Sequence, residues 1–207
     1  MTVTPLPKSK TRDIPAADPA SLERDLRNLS LQYLQRCSEL PLTHQEQMTL
    51  AKLYAGAKRL HQAVREGAVA EAIVEISSNL IGCEQMALVL MGERWDNLTF
   101  IGSVGLNLKQ LEAMRMNAKG IIEEAPADAI YIKSEAEKPD LFLSSLGVTA
   151  YVPFFLDSTT KGAIVFFNLL PQRNGLDSAD RELLKLLCAY AGPCLASGTT
   201  KDQEIRG

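Results

Sequence analysis

Two short runs, Met86 to Met91 and Ala163 to Phe167, are apolar at every position. A strand with one wet face alternates, whereas a strand covered on both faces does not. These runs therefore predict the centre of a sheet with material packed on both sides. The chain also changes period around them. Upstream of Gly82 apolar residues recur at steps of three and four, the spacing of helices; downstream they fall in short runs, the spacing of strands.

The upstream part predicts three helices. Asp18 can cap and Pro19 suits a first helical position, and Leu22, Leu26, Leu29 and Tyr33 form one stripe, broadened by Leu31 and Leu34, until Pro41. Thr43 and Glu46 have capping-box form ahead of the stripe Leu50, Leu53, Ala57, Leu60, Val64. A helix from His44 to Glu66 would be roughly 34 Å long. Two heptad-like stripes joined at Leu40-Pro41-Leu42 must pack on something: the body, a second copy or a partner. After Gly67, the residues Val69, Ile73, Ile76 and Leu80 mark a third helix that Gly82 ends.

The downstream part predicts two hairpins and a cover. Met86–Met91 and Leu98–Val104 flank a polar turn about Trp95; Val148–Leu156 and Gly162–Asn168 flank Asp157 to Lys161. Pro153 lacks a backbone donor, which points to an edge position or a bulge. Between the hairpins stand a short helix with Leu108, Leu111 and Met114 on one side, a brief strand at 129–132, and a loop-rich stretch with a helical turn near Leu141 to Ser145. A final helix enters through Asp177 and Asp180, and Gly192-Pro193 should kink or fray its end. The organisation expected is a disordered tail over 1–17, a helical arm over 18–66, an α/β (α+β) domain over 67–197 and a polar tail over 198–207. The sheet is expected to be antiparallel and sandwiched, with the long helices on one face and the 108–147 segment on the other.

Composition bounds the class. Of 207 residues, 46% are hydrophobic and 23% charged, as in globular chains. No apolar run reaches the ~18 residues of a membrane span, and the N-terminus lacks the apolar core of a secretory signal, so neither a membrane partner nor secretion is expected. Four cysteines fit a reducing, cytoplasmic setting. The net charge of −3, with basic residues dispersed, gives no reason to expect a nucleic-acid partner. The charge is uneven: residues 1–66 carry net +3 and residues 67–207 net −6, which marks the same boundary near Gly67.

The ordered combination of these signals resembles a GAF domain. It comprises Ile73–Leu80 running into Ile81-Gly82-Cys83-Glu84, then Val152-Pro153-Phe154, Lys161-Gly162-Ala163-Ile164-Val165, and the entry Leu176-Asp177-Ser178-Ala179-Asp180. The likeness spans roughly residues 67–197. It implies a GAF-like antiparallel sheet of about six strands, a regulatory ligand pocket, and dimerisation through flanking helices.

Known GAF chemistries can be tested on the residues. No Asn-Lys or Asp-Glu dipeptide is present, so the cyclic-nucleotide motif of the family is missing. Cys37, Cys83, Cys188 and Cys194 are followed by Ser, Glu, Ala and Leu, never His, so no bilin attachment is expected, and no haem. Free methionine sulfoxide reduction needs a low-pKa thiolate and a resolving thiol, and Cys188 and Cys194 lie about 120° apart around a helix. His44 and His61, without Cys-x-x-Cys or His-x-x-x-His, give no metal site. No phosphate loop or nucleophile elbow appears.

The reading is a non-catalytic, cytoplasmic sensory or regulatory module acting in signal transduction. It binds an unidentified small molecule in a pocket near Phe100, Met114, Tyr131, Phe142, Ser144 and Tyr151. It reaches a homodimer partner or a signalling protein through Leu26, Leu29, Leu50, Leu53 and Leu60. The alternatives are a methionine sulfoxide reductase-like enzyme and a structural dimerisation scaffold.

Overall fold

The structure, a computed structural model, describes residues 19–39, 43–91, 98–117, 129–136, 141–157 and 160–204. The expected N-terminal tail, the Asp18 cap, the Leu40-Pro41-Leu42 turn and the turn about Trp95 lie outside these residues.

The helices begin and end where local chemistry puts them. Helix α1 is Pro19–Glu39 and α2 is His44–Glu66. The Thr43 N–H donates to Glu46 Oε2 at 2.8 Å and the Glu46 N–H to Thr43 Oγ1 at 3.3 Å, the reciprocal capping box. Gly67, at φ 73°, closes α2 in the left-handed conformation. Helix α3, Val69–Ile76, passes into a π-helical turn, Ser77–Ile81, before Gly82. The three-and-four spacing predicted a helix over this whole stretch but not the widened turn.

Five strands follow in the order β2-β1-β5-β4-β3: β1 Cys83–Met91, β2 Leu98–Val104, β3 Tyr131–Ile132, β4 Ala150–Phe155 and β5 Lys161–Leu169. Every pairing is antiparallel. Both hairpins form as predicted, and the sheet has five strands among the described residues where the family likeness implied about six. Pro153 pairs with Ala163 on β5 only, because β3 meets β4 at Tyr151 and Ala150 and goes no further. The missing N–H therefore falls on an open edge. Helix α4 is Leu108–Met116, α5 is Leu141–Ser145 and α6 is Ser178–Glu204.

Two apolar layers sandwich the sheet, as the unalternating strands required. On the near face Met86, Leu88, Val152, Phe154, Ile164 and Phe166 share a core with Leu26, Leu53, Leu60, Ile73 and the α6 residues Leu183, Leu184 and Leu187. On the far face Ala87, Val89, Tyr151, Val165 and Phe167 share a second core with Met114 of α4 and Leu143 of α5. Within α4 the expected apolar side is only half right: Met114 is buried, but Leu108 is 73% exposed.

Two expectations need correction. The helices predicted as a separable arm are part of the main core. Leu26 and Leu60 are fully buried and Leu53 nearly so, while Leu29 packs against the same core and Leu50 is half-buried. The stripe closes this core from outside, α2 packing against α3 and α6, and α1 against α2. Exposing a buried leucine costs roughly 2 kcal/mol, so Leu26, Leu53 and Leu60 contribute to the stability of the chain's own core. The second correction is at the C-terminus: α6 continues to Glu204, so most of the predicted polar tail is polar but helical. That helix runs on through Gly192-Pro193. Gly192 is required there because a Cβ would sit 1.9 Å from the Phe155 carbonyl oxygen, where α6 crosses β4.

Candidate functional site

The far-face layer and its border hold two of the buried polar side-chain atoms without a hydrogen-bond partner among the described residues; Arg59 Nη1, His61 Nδ1, Ser78 Oγ and Arg173 Nε are others, on the helical side. Met114, Tyr131 and Tyr151 are buried in it, and Phe100 on β2 packs against it beneath the guanidinium of Arg115, 5.4 Å from the ring centre. Burial pushes the Tyr151 phenol well above its ordinary range. Ser144, half-buried on α5, borders the layer, while the Phe142 side chain lies outside the described residues. The strand alternation explains the grouping: Tyr151 pairs with Tyr131 across β4 and β3, so both side chains emerge on one face.

Two hydroxyls in this region have no protein partner among the described residues. Tyr131 Oη and Ser144 Oγ are shielded from solvent and neither donates nor accepts a hydrogen bond. An unsatisfied buried polar group costs on the order of 1–3 kcal/mol, so each calls for a water or a ligand atom.

The strongest polar cluster of the molecule is elsewhere and is structural. Asp180, with a fully buried side chain, accepts from Lys52 Nζ of α2 at 2.7 Å, from Arg173 Nη2, and from the Asp177 N–H at 2.9 Å. Asp177 returns the cap by accepting the Asp180 N–H at 2.8 Å. It also stands 3.5 Å from Lys52 and 3.6 Å from Arg173. Partial burial works against the Asp177 carboxylate, but the Asp180 N–H and the two cations outweigh it and hold its pKa below the ordinary value. The sequence reading found the Asp177 and Asp180 cap. It missed the two cations, since nothing local marks Lys52 as the partner of a residue in the last helix.

The thiols are ill placed for redox work. Burial raises the Cys83 thiol to about 12, against the hydrogen bond it donates to the Gln85 carbonyl, and raises Cys194 to about 12 as well. Cys188 donates to the Pro153 carbonyl at 3.1 Å. The side chain of Cys37 lies outside the described residues. His44 is exposed on the first turn of α2, and His61 is half-buried further along. Among the described residues no three His, Cys, Asp or Glu side chains come together to hold a metal, and no helix is long and apolar enough to cross a membrane.

Surface hollows occur on the helical side. One of about 150 Å³ lies between α2 and the π turn, lined by Ala55, Arg59, Glu75, Ile76, Asn79 and Leu80. A shallow one of about 540 Å³ follows Lys58, His61 and Arg65 on α2. None of the six residues predicted to line a pocket borders either.

No family model and no curated protein matches the chain. Among solved structures it is similar to the GAF domain/HD domain protein from Geobacter sulfurreducens, over 68% of this chain and 98% of that one, at 12% identity and a TM-score of 0.44. A likeness of that degree carries no argument about what this chain binds or does.

Proposed function

We propose that this chain is a GAF-type sensory module that carries out no chemistry of its own. It holds a small molecule between the far face of its sheet and the α4 and α5 cover, and passes the bound state to a partner protein. The observation that supports this reading is the pair of shielded, unpartnered hydroxyls, Tyr131 Oη in that layer and Ser144 Oγ at its border. A layer that served only as core would carry Phe and Ala there at no loss of packing and with no orphaned polar atom. The apolar surroundings, Phe100, Met114 and Tyr151, suit a ligand with a hydrophobic body and one or two hydrogen-bonding groups. The raised thiols Cys83 and Cys194 favour this reading over methionine sulfoxide reduction, which needs a thiolate near neutral pH. Bound ligand shifts the module only by its differential affinity for two states, and a second protein distinguishes those states.

Native mass spectrometry of the purified protein, followed by the same measurement on Tyr131→Phe, tests the proposal. A co-purified small molecule lost from the variant supports it. A protein that carries no added mass, with a Tyr131→Phe variant that is only more stable, speaks for a closed core. Turnover of free methionine sulfoxide that Cys83→Ser abolishes would overturn the non-catalytic reading.

A further inference from the structure

The two ends of the sheet are built differently. At one end β3 is two residues long, a length that leaves little edge to pair with. At the other, β2 runs for seven residues, Leu98-Thr99-Phe100-Ile101-Gly102-Ser103-Val104, with no strand beyond it among the described residues. It contains no charged residue and no proline, the usual guards of an open edge. Its one irregularity is a bulge: the register passes from Leu88–Gly102 to Val89–Phe100, leaving Ile101 unmatched on β1.

A groove of about 310 Å³ runs beside this strand, between Ile101, Gly102 and Ser103 and the α3 residues Ala70, Glu71, Val74 and Glu75. Gly102 sets the groove's shape. A Cβ there would meet Val74 Cγ2 at 2.8 Å, so the missing side chain lets α3 lie close against the strand. The groove has an apolar floor of Ala70, Val74 and Ile101 and an acidic rim. Glu75 is engaged by Arg59 Nε at 2.6 Å, while Glu71, one turn earlier and exposed, has no cation against it among the described residues.

We propose that β2 and α3 form a docking site for an extended segment of a partner protein, which adds to the sheet as a sixth strand. The occupant carries Lys or Arg at alternate positions facing Glu71 and Glu75, with small apolar residues toward Ile101. Strand addition supplies main-chain hydrogen bonds without regard to sequence, and the period-two side chains supply the selection. A second copy of this chain is the weaker fit. Edge-to-edge pairing would bring two Glu71–Glu75 rims toward each other, and like charges across an interface are disfavoured. The site lies on the sheet edge away from β3 and does not depend on the ligand reading above.

Fluorescence anisotropy on the full chain tests the proposal. The probe is a short labelled peptide with lysine at every second position and threonine or valine between. The variants are Glu71→Lys and Ser103→Lys, both at exposed positions, with circular dichroism to check folding. Binding is expected to weaken by up to about fivefold in Glu71→Lys, the factor an exposed ion pair of about 1 kcal/mol supplies, and to weaken in Ser103→Lys, where a like charge meets the basic peptide. Hydrogen exchange should show new protection within 98–104 when the peptide binds. The proposal is overturned if the peptide does not bind or if both variants bind it unchanged. It is also overturned if a glutamate-for-lysine peptide binds equally well, or if binding leaves 98–104 unprotected. Self-association that Ser103→Lys abolishes, with no peptide binding, would assign the edge to a second copy instead.

Discussion

Removing the Asp180 carboxylate should unlatch α2 from the last helix, at a cost the geometry allows to be estimated. In Asp180→Ala three donors lose their acceptor at once: Lys52 Nζ, Arg173 Nη2 and the Asp177 N–H. Removing one partner of a buried ion pair costs about 3–5 kcal/mol. The lower end applies here, about 3 kcal/mol, because the Lys52 and Arg173 side chains keep 16% and 25% of their exposure and Asp177 remains 3.5–3.6 Å away. Asp180→Asn keeps an acceptor for the Asp177 N–H but loses the charge, for about 2 kcal/mol, and Lys52→Met removes one donor, for about 1–2 kcal/mol. For a chain of this size each kcal/mol lowers Tm by about 2–4 °C, so Asp180→Ala should melt roughly 6–12 °C below the wild type. Thermal and urea denaturation followed by circular dichroism measure this. The Lys52→Met, Asp180→Asn cycle should be non-additive by about 1 kcal/mol, since both changes act on one interaction. An Asp180→Ala protein that melts within about 2 °C of the wild type would refute the reasoning, and so would an additive cycle.

Leu60→Ala should destabilise the whole protein by about 2–5 kcal/mol in a single transition, because Leu60 is fully buried in the core it shares with the sheet. A variant of unchanged melting point but altered oligomeric state would support the dimer-contact reading of that stripe. Cys83 and Cys194, held near 12, are ionised at pH 8 to only about one part in 10⁴, so a thiol reagent with peptide mapping should leave both unlabelled until the protein is denatured. The Asp177 carboxyl has a folded pKa below its ordinary 3.8, so its contribution is fully present above about pH 4–5 and is lost as pH falls through the lowered folded value. Asp177→Asn should therefore flatten the acid limb of the stability–pH curve below pH 4, and an unchanged acid limb would count against the capping role.

Local and periodic features were legible because their causes are local. Thr43 with Glu46, Gly67, Gly82 and Asp177 with Asp180 are decided within a few residues, and all appear where the sequence predicts. The unalternating runs Met86–Met91 and Ala163–Phe167 required two covered faces, and the two cores supply them. Met114, Tyr131 and Tyr151 share one apolar layer with Phe100, since strand alternation and the position of the cover bring them to one face. That the Tyr131 and Ser144 hydroxyls lack partners was not legible, because satisfaction depends on which atoms arrive from other segments.

Periodicity determined that the stripe through Leu26, Leu53 and Leu60 had to be buried, but it could not say against what. A heptad-like row fits a second copy, a partner or the chain's own sheet equally well. Only the tertiary structure supplies a surface within the chain itself, by packing α2 on α3 and α6 and α1 on α2 over one shared core. The same holds for Lys52 and Asp180, which meet across 128 residues of sequence. Helix caps and strand alternation are properties of neighbours along the chain. Which faces and charges meet is a property of how the layers close on one another, and that is fixed only when the whole surface is packed at once.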